Sequence, residues 1–263
     1  MKRKYYIHIL LLLSITSQAY SQLISDSLCF KKNIIDYSID ATGSIFLSFE
    51  GGAITKYSPN LDSLLSYSPI KVGNIRLLET GNGLRIFAFY HFFQEYLITD
   101  RFLARPVLSK LSNSSFDFVE IATQSQDNNI WLVESSGFRL LKFNVVYGEI
   151  EIETNLNSII NNENSSFTFI REYQNQVFLV DENSGIYIFD NLGNFTRKII
   201  ANTNKCSFSG NSILYMEDNS LIVADLYSTA ELKTHINLPN LKGALQFKNN
   251  TYFIQSTCLL KAN

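Results

Sequence analysis

A two-strand pattern recurs along this chain and restricts its fold more than any other feature. The clearest copy runs from Asn129 to Phe143, where an apolar strand, a polar turn ending in Gly137 and a second strand with apolar residues spaced by two predict a β-hairpin. Related copies begin near Gly43, Leu84, Gln176, Ser220 and Thr251. Repeats of short strands indicate an architecture in which each unit packs against its neighbours.

The spacing of the copies favours a β-propeller. One residue per hairpin aligns across the copies at steps of about 41, 44, 47, 44 and 31 positions, near the length of a four-stranded blade. These residues are Phe46, Phe87, Trp131, Phe178, Ile222 and Phe253. An apolar strand precedes each hairpin and a fourth follows several, so we predict an all-β propeller of six four-stranded blades. The competing fold is a β-sandwich or an open antiparallel barrel.

The sixth blade lacks one predicted strand, because the sequence stops at Asn263 soon after Cys258. The segment Ser27 to Phe30 precedes the first blade and is predicted to supply the missing outer strand, which would close the ring without a long open edge. Cys29 and Cys258 would then lie on neighbouring strands, within reach of a disulfide if the register matches. The alternative is that both are buried free thiols that pack as small apolar residues.

Residues 1–21 are predicted to be a secretory signal peptide. Basic residues at positions 2–4 precede an apolar run of roughly ten residues, and the small-residue site ending at Ser21 predicts cleavage before Gln22. The run is too short for a bilayer anchor. Residues 22–263 are therefore expected to form one exported propeller domain without a membrane span, in the periplasm or at the cell surface.

The charge balance argues against nucleic acid as a partner. The chain has 22 basic and 24 acidic residues, and loss of the three basic residues at positions 2–4 leaves a net charge of about −5. Binding to a phosphate backbone needs clustered Lys and Arg, which this chain lacks. The spacing of its three cysteines does not fit a zinc site.

The hairpins resemble the repeats of NHL-type and regulator-type propellers, in which Asp-x-x-Gly precedes a strand. The stretch from Asp40 to Gly43 has this form, and the stretch that begins at Asp127 matches it in part. The chain also resembles the uncharacterised exported propeller proteins of the Bacteroidota, which share a segment like the one from Ile86 to Phe93. This resemblance implies the propeller fold and assigns no chemistry to particular residues.

Five carboxylates are the candidate metal-binding or catalytic groups. Each follows an apolar pair in a predicted innermost strand, and innermost strands line the channel of a propeller. A ring of hard oxygen ligands would suit Ca²⁺, the one cofactor considered, and two of the carboxylates would alternatively serve a hydrolase as acid and base. Solvated polar residues at strand ends are the plainer interpretation. The five are Asp36, Glu79, Glu120, Glu172 and Glu217.

An aromatic turn is the candidate protein-binding site. Tyr90, His91, Phe92 and Phe93 stand where other hairpins have polar turns, on the face that also carries the connections between blades. Exposed aromatic side chains on a loop are typical of protein contacts. The alternative is that the rings pack against the neighbouring blade.

Two functions are consistent with these features. The first is a non-catalytic exported propeller that acts as a protein-binding scaffold or as an accessory subunit of a cell-envelope complex. The second is a propeller-fold hydrolase or lyase, such as a metal-dependent lactonase or a glycan-active enzyme, that uses the channel carboxylates. The sequence has no nucleophile elbow, phosphate loop or histidine cluster. This favours the first function, although propellers host both.

Overall fold

A computed structural model describes residues 24–71, 73–81, 83–112 and 115–262, and the predicted signal peptide lies outside them. The described residues form 24 strands in six four-stranded antiparallel sheets. Their helical content is limited to three single 3₁₀ turns, His91–Phe93, Leu156–Ser158 and Asn162–Asn164. No helix in this part of the chain has the length and apolarity needed to cross a membrane.

The strands follow one another along the chain with short connections. In order they are β1 (Ile24–Cys29), β2 (Ile34–Ile39), β3 (Ile45–Phe49), β4 (Ile54–Tyr57), β5 (Ser63–Tyr67), β6 (Leu77–Glu79), β7 (Arg85–Tyr90), β8 (Glu95–Asp100), β9 (Val107–Lys110), β10 (Val119–Gln124), β11 (Ile130–Glu134), β12 (Arg139–Asn144), β13 (Glu149–Asn155), β14 (Phe167–Tyr173), β15 (Gln176–Asp181), β16 (Gly185–Asp190), β17 (Phe195–Ile199), β18 (Cys206–Ser209), β19 (Ser212–Glu217), β20 (Ser220–Asp225), β21 (Glu231–His235), β22 (Leu241–Phe247), β23 (Asn250–Gln255) and β24 (Cys258–Ala262).

Each sheet is one blade of a six-bladed propeller, which confirms the predicted fold and excludes the sandwich. Within a blade the chain moves outward from the innermost strand, giving β2–β5, β6–β9, β10–β13, β14–β17 and β18–β21 as blades 1 to 5. Blade 6 consists of β22, β23 and β24, with β1 as its outermost strand. The predicted closure by an N-terminal strand is therefore present, and Cys29 lies opposite Cys258 in the β1–β24 pair.

Burial follows the position of each strand in its blade. Strand β11 in the middle of blade 3 is buried along its whole length and contains Trp131, which is fully buried. The outermost strand β13 of the same blade alternates between exposed and half-buried residues, as expected when only one face of a strand is covered. The core thus lies between adjacent blades, which explains why the period of the sequence reports the number of blades.

Short polar side chains fix the hairpins that lead to the outermost strands. Asp100 Oδ1 accepts hydrogen bonds of 2.9 Å from the backbone N–H groups of Phe102 and Ala104, and Asp190 accepts equivalent bonds in blade 4. Such Asx turns satisfy backbone donors that the strand ladder leaves free. Asn144 and Asp225 have the same role in blades 3 and 5.

Blade 5 differs from the sequence-based assignment. The innermost strand was expected at 213–216, but that segment belongs to β19, the second strand, and the innermost strand is β18. Strand β18 was missed because it has only four residues and alternates Cys and Phe with Ser. With β19 as the equivalent of β15 and β23, the last steps between second strands become about 36 and 38 residues, so the irregular final step disappears.

The ring has an upper and a lower face. The upper face is the one on which the innermost strands begin, and it also carries the connections between blades and the turns between second and third strands. The lower face is the one on which the innermost strands end. The turn His91–Phe93 lies on the upper face, between β7 and β8.

Candidate functional site

The central channel is crossed by two ion pairs that join blades two positions apart. Lys205, which precedes β18 in blade 5, pairs with Asp36 of β2 in blade 1 and also donates 2.7 Å to the carbonyl of Tyr37. Arg171 of β14 in blade 4 pairs with Glu79 of β6 in blade 2 at 3.2 Å. All four side chains are about nine-tenths buried. Two of the predicted channel carboxylates are therefore neutralised by cations from distant blades.

The remaining predicted carboxylates occupy different environments. Glu172 lies beside Arg171 on β14 and accepts hydrogen bonds from the Ser125 hydroxyl and, at 2.8 Å, from the indole N–H of Trp131. Glu120 reaches the upper face, where one of its oxygens lies 3.4 Å from His91 Nε2. The carboxylates of Glu172 and Glu120 therefore both have partners within the protein.

The prediction that Glu217 belongs to the channel ring is wrong. This residue ends β19, the second strand of blade 5, rather than an innermost strand. Its carboxylate accepts 2.9 Å from the backbone N–H of Asn202 and lies 3.7 Å from Lys233. Within the described residues no three His, Cys, Asp or Glu side chains are grouped so as to hold a metal ion. The Ca²⁺ ring therefore stays a prediction, and the predicted carboxylates do not come together in one cluster.

Two cavities lie at the ends of the channel. The lower cavity has a volume of 390 Å³ and is lined by both Glu79 and Glu172, with Arg171, Phe87 and Tyr173 around them. The upper cavity has a volume of 220 Å³ and contains the Asp36–Lys205 pair. The structure thus brings Glu79 and Glu172 to one cavity and places Asp36 in the other.

The aromatic turn divides into buried and exposed members. Tyr90 is 4% exposed and ends β7 inside the core, and Phe93 is half-buried with Lys71 Nζ located 3.6 Å from its ring centre. Phe92 is 86% exposed, and His91 packs edge to face against Phe118 at 4.8 Å. Tyr90 belongs to β7 and contributes no surface. A 3₁₀ turn has three residues per turn, so the three side chains that follow point in different directions, and that of Phe92 points into solvent.

The exposed residues form one surface, which we call the aromatic surface and define as His91, Phe92 and Phe118. Phe118 is 41% exposed and belongs to the segment that leads into β10 of blade 3. An apolar groove of 220 Å³ adjoins the turn at Phe93. Its wall includes Pro69, Ile70, Pro106 and Leu108, of which all but Pro69 are exposed.

A buried carboxylate in the neighbouring turn holds the Phe118 segment in place. Burial alone would raise the pKa of Glu134. The hydrogen bond from the Gly137 N–H and the adjacent Arg139 outweigh this effect, so the pKa is lowered. Arg139 also donates 3.1 Å to the carbonyl of Ser115, and Ser135 donates to that of Phe118. The turn between β11 and β12 therefore supports the aromatic surface.

We predict a pH-dependent loss for Glu134→Gln. Because the pKa of Glu134 is lowered on folding, its carboxylate stabilises the fold above its unfolded pKa of about 4.5, and this contribution is lost as the pH falls through the lower folded pKa. The variant should unfold about 2 kcal/mol more easily at pH 7, the cost of weakening hydrogen bonds to a charged group. Urea titrations at pH 7 and pH 3 should show the difference shrinking at pH 3; an equal difference at both would contradict this role.

The third cysteine has the properties of a core residue. Cys206 is buried on β18, and burial raises the pKa of its thiol. A thiol in this environment is a poor nucleophile, since the thiolate is the reactive form. By contrast, Cys29 and Cys258 form a disulfide with their Cα atoms 4.1 Å apart, which links β1 to β24 at the closure of the ring.

Comparison with solved structures finds propellers of several activities. Virginiamycin B lyase from Staphylococcus aureus, in a catalytically inactive histidine-to-alanine form with quinupristin, has a TM-score of 0.62 at 12% identity, over 90% of this chain and 97% of the lyase. The β-propeller domain of Cps50 (Swd1) from Myceliophteria thermophila has a TM-score of 0.66 at 9% identity, over 91% and 98%. At such identities the likeness establishes a shared fold.

A third structure comes from B. thetaiotaomicron and is the extracellular domain of a protein described as a hybrid two-component system. It has a TM-score of 0.57 at 10% identity, and the match covers 88% of this chain and 34% of that one. No protein-family model matches the chain. A sequence search of curated proteins also finds no match.

Proposed function

We propose that this chain is an exported, non-catalytic propeller that binds another protein of the cell envelope, as a scaffold or accessory subunit. The observation that carries this proposal is the exposure of Phe92 on a turn that is held rigidly. A large aromatic side chain that is 86% exposed gains nothing from folding. Aromatic anchors of this kind are enriched at the centres of protein interfaces.

Gln94 holds the turn in its conformation. It adopts a left-handed backbone with φ of 50°, and its side-chain amide donates 2.7 Å to the carbonyl of His91 and 2.9 Å to that of Val119. Its carbonyl oxygen accepts 2.8 Å from the Val119 N–H. The turn of blade 2 is thereby fixed to the innermost strand of blade 3. A preorganised anchor loses little conformational entropy on binding, which favours affinity.

The surroundings of Phe92 extend the contact area. Phe118 lies on one side of the turn, and the apolar groove beyond Phe93 begins on the other. In the groove, Ile70 is fully exposed and Leu108 is about half exposed. Contiguous exposed apolar surface on a monomer is typical of an interaction site. The upper face of blades 1 to 3, together with the groove that continues along the outer strand of blade 2, is therefore the proposed partner-binding face.

Export is supported by two features of the chain. The Cys29–Cys258 disulfide is of a kind that persists in oxidising compartments and is rare in the cytosol. The N-terminal sequence has the organisation of a secretory signal peptide. The periplasm and the cell surface are both consistent with these features.

Co-purification from an envelope extract tests the proposal. Tagged mature protein should retain a stoichiometric partner, and the double variant Phe92→Ser/Phe118→Ser should lose it, with affinity reduced about 30-fold or more for two hot-spot residues. Tyr147→Ser is the matched control, because Tyr147 is 76% exposed but lies in the turn between β12 and β13 on the lower face. Unaltered capture by the double variant would refute the proposal.

A second candidate function rests on the lower cavity. Glu79 and Glu172 line the same space, and its 390 Å³ volume is within the usual range for a small-molecule site. In the candidate hydrolase, these carboxylates would be the acid and base. A screen of glycosides and lactones tests this function: turnover abolished by Glu172→Gln would establish it, and absence of turnover would leave the scaffold as the function.

A further inference from the structure

We propose that the upper end of the central channel binds a small oxyanion, held by Arg76, Lys242 and Thr168. This inference is independent of the proposed partner-binding face. The upper cavity receives side chains from blades 1, 2, 4, 5 and 6 and therefore lies on the axis of the ring. Its lining residues are Ile35, Asp36, Tyr37, Arg76, Thr168, Glu182, Asn204, Lys205 and Lys242.

The charges of this cavity are unbalanced in favour of the positive sign. Of its three cations, Lys205 is neutralised by Asp36. Arg76 and Lys242 form no ion pair with any residue that the structure describes. The second lining carboxylate, Glu182, is exposed and accepts a hydrogen bond of 2.7 Å from the Ser166 hydroxyl. Three cations against two carboxylates leave the lining with a net charge of +1, and Arg76 and Lys242 are the cations that stand outside an ion pair.

Backbone carbonyls hold both cations in position. Arg76 reaches from blade 2 to blade 4, where its Nη2 donates 2.7 Å to the carbonyl of Phe167. Lys242 Nζ donates 3.1 Å to the carbonyl of Ile34 in blade 1. A guanidinium has five N–H donors and an ammonium has three, so each side chain keeps donors for a ligand after these bonds. Their orientation is fixed before a ligand binds, which lowers the entropic cost of binding.

Thr168 contributes a hydroxyl group that lacks a protein partner. Thr168 lines the cavity, and its Oγ1 is buried and has no hydrogen-bond partner among the described residues. It directly follows Phe167, whose carbonyl accepts the hydrogen bond from Arg76. Buried polar groups are normally satisfied, and an unpartnered hydroxyl on a residue that lines the same cavity as two cations is suited to an oxygen of an anionic ligand.

The groups that line this cavity do not suit Ca²⁺. That cation takes carboxylate, carbonyl and water oxygens, whereas here Asp36 is already paired and Arg76 and Lys242 would repel a cation. The volume of 220 Å³ favours a small ligand such as a phosphate, sulfate or carboxylate group. These anions share charge-assisted acceptance of N–H and O–H donors.

Calorimetric titration with inorganic phosphate, sulfate and acetate tests the site on the mature protein. At least one anion should bind with a dissociation constant below about 10 mM, and Arg76→Gln and Lys242→Gln should each weaken binding at least about ten-fold, the expected loss for one charge-assisted hydrogen bond. Thr168→Val should weaken it several-fold. CaCl₂ should produce no binding heat.

Controls separate loss of the site from loss of the fold. Lys110→Gln removes a cation from the outermost strand β9 of blade 2 and should leave binding unchanged. Arg76→Lys keeps the charge and should bind more tightly than Arg76→Gln if both have the far-ultraviolet circular dichroism of the wild type. Absence of binding by all three anions, or equal binding by wild type and the Arg76→Gln/Lys242→Gln double variant, would overturn the proposal.

Discussion

Replacement of Cys29 and Cys258 by serine is expected to lower the free energy of unfolding by about 4 kcal/mol. The bond closes a loop with a sequence separation of 229 residues. Cross-linking so long a loop strongly restricts the unfolded chain, and removal of a native disulfide costs about 2–5 kcal/mol. Because the bond joins β1 to β24, its loss also frees the outermost strand of blade 6. Guanidinium titration with and without reductant measures the effect.

The double serine variant should be insensitive to reductant, whereas the wild type should shift to a lower midpoint when reduced. Cys206→Ala is the matched control, since Cys206 is a free buried thiol and its replacement leaves the disulfide intact. This control should keep the response of the wild type to reductant. Identical midpoints for oxidised and reduced wild type would show that the ring closes without help from the bond.

The ion pair between Glu79 and Arg171 is the second large contribution. Arg171→Met should destabilise the protein by about 3–5 kcal/mol, because it leaves the carboxylate of Glu79 buried without its cation. The two side chains are only 9% and 11% exposed, so water in the adjoining cavity replaces the lost partner only in part. Denaturant titration of the single variant, at pH 7, is the measurement.

A double-mutant cycle distinguishes the ion pair from general packing of Arg171. The double variant Glu79→Gln/Arg171→Met should regain part of the stability lost in Arg171→Met, since no charge is then buried alone. Arg171 also lies over the rings of Tyr173 and Phe208, at 5.4 and 5.2 Å, and loss of these contacts affects both variants alike. Strictly additive effects would show that the pair contributes no specific interaction.

The number of blades was predictable from the sequence, whereas the partners across the channel were not. The regular spacing of the hairpins depends on contacts between residues that are close in sequence. This spacing is recognisable in five of the six blades. Lys205 and Asp36 are 169 residues apart, and only closure of the ring brings them together. The sequence carried one signal of these partners, because Arg171 and Glu172 are adjacent charged residues in an otherwise uncharged innermost strand.

The aromatic turn shows a similar limit. The sequence identified four consecutive aromatic residues as a unit, but the first ends strand β7 and the other three form a 3₁₀ turn, so their side chains reach different environments. Tyr90 packs in the core and Phe92 points into solvent. Phe118, from the next blade, completes the aromatic surface. The hydrophobicity of Phe118 does not by itself predict that its ring lies beside the turn. Burial within a turn depends on its backbone conformation, which composition does not specify.

Site-specific photo-cross-linking in the envelope tests the central claim, that the upper face of blades 1 to 3 binds a partner protein. A photoreactive phenylalanine analogue should be placed at position 92 and, as the matched control, at position 147 on the lower face. We expect one discrete protein adduct from position 92 and none from position 147. The same adducts from both positions, or an adduct from position 147 alone, would contradict the account.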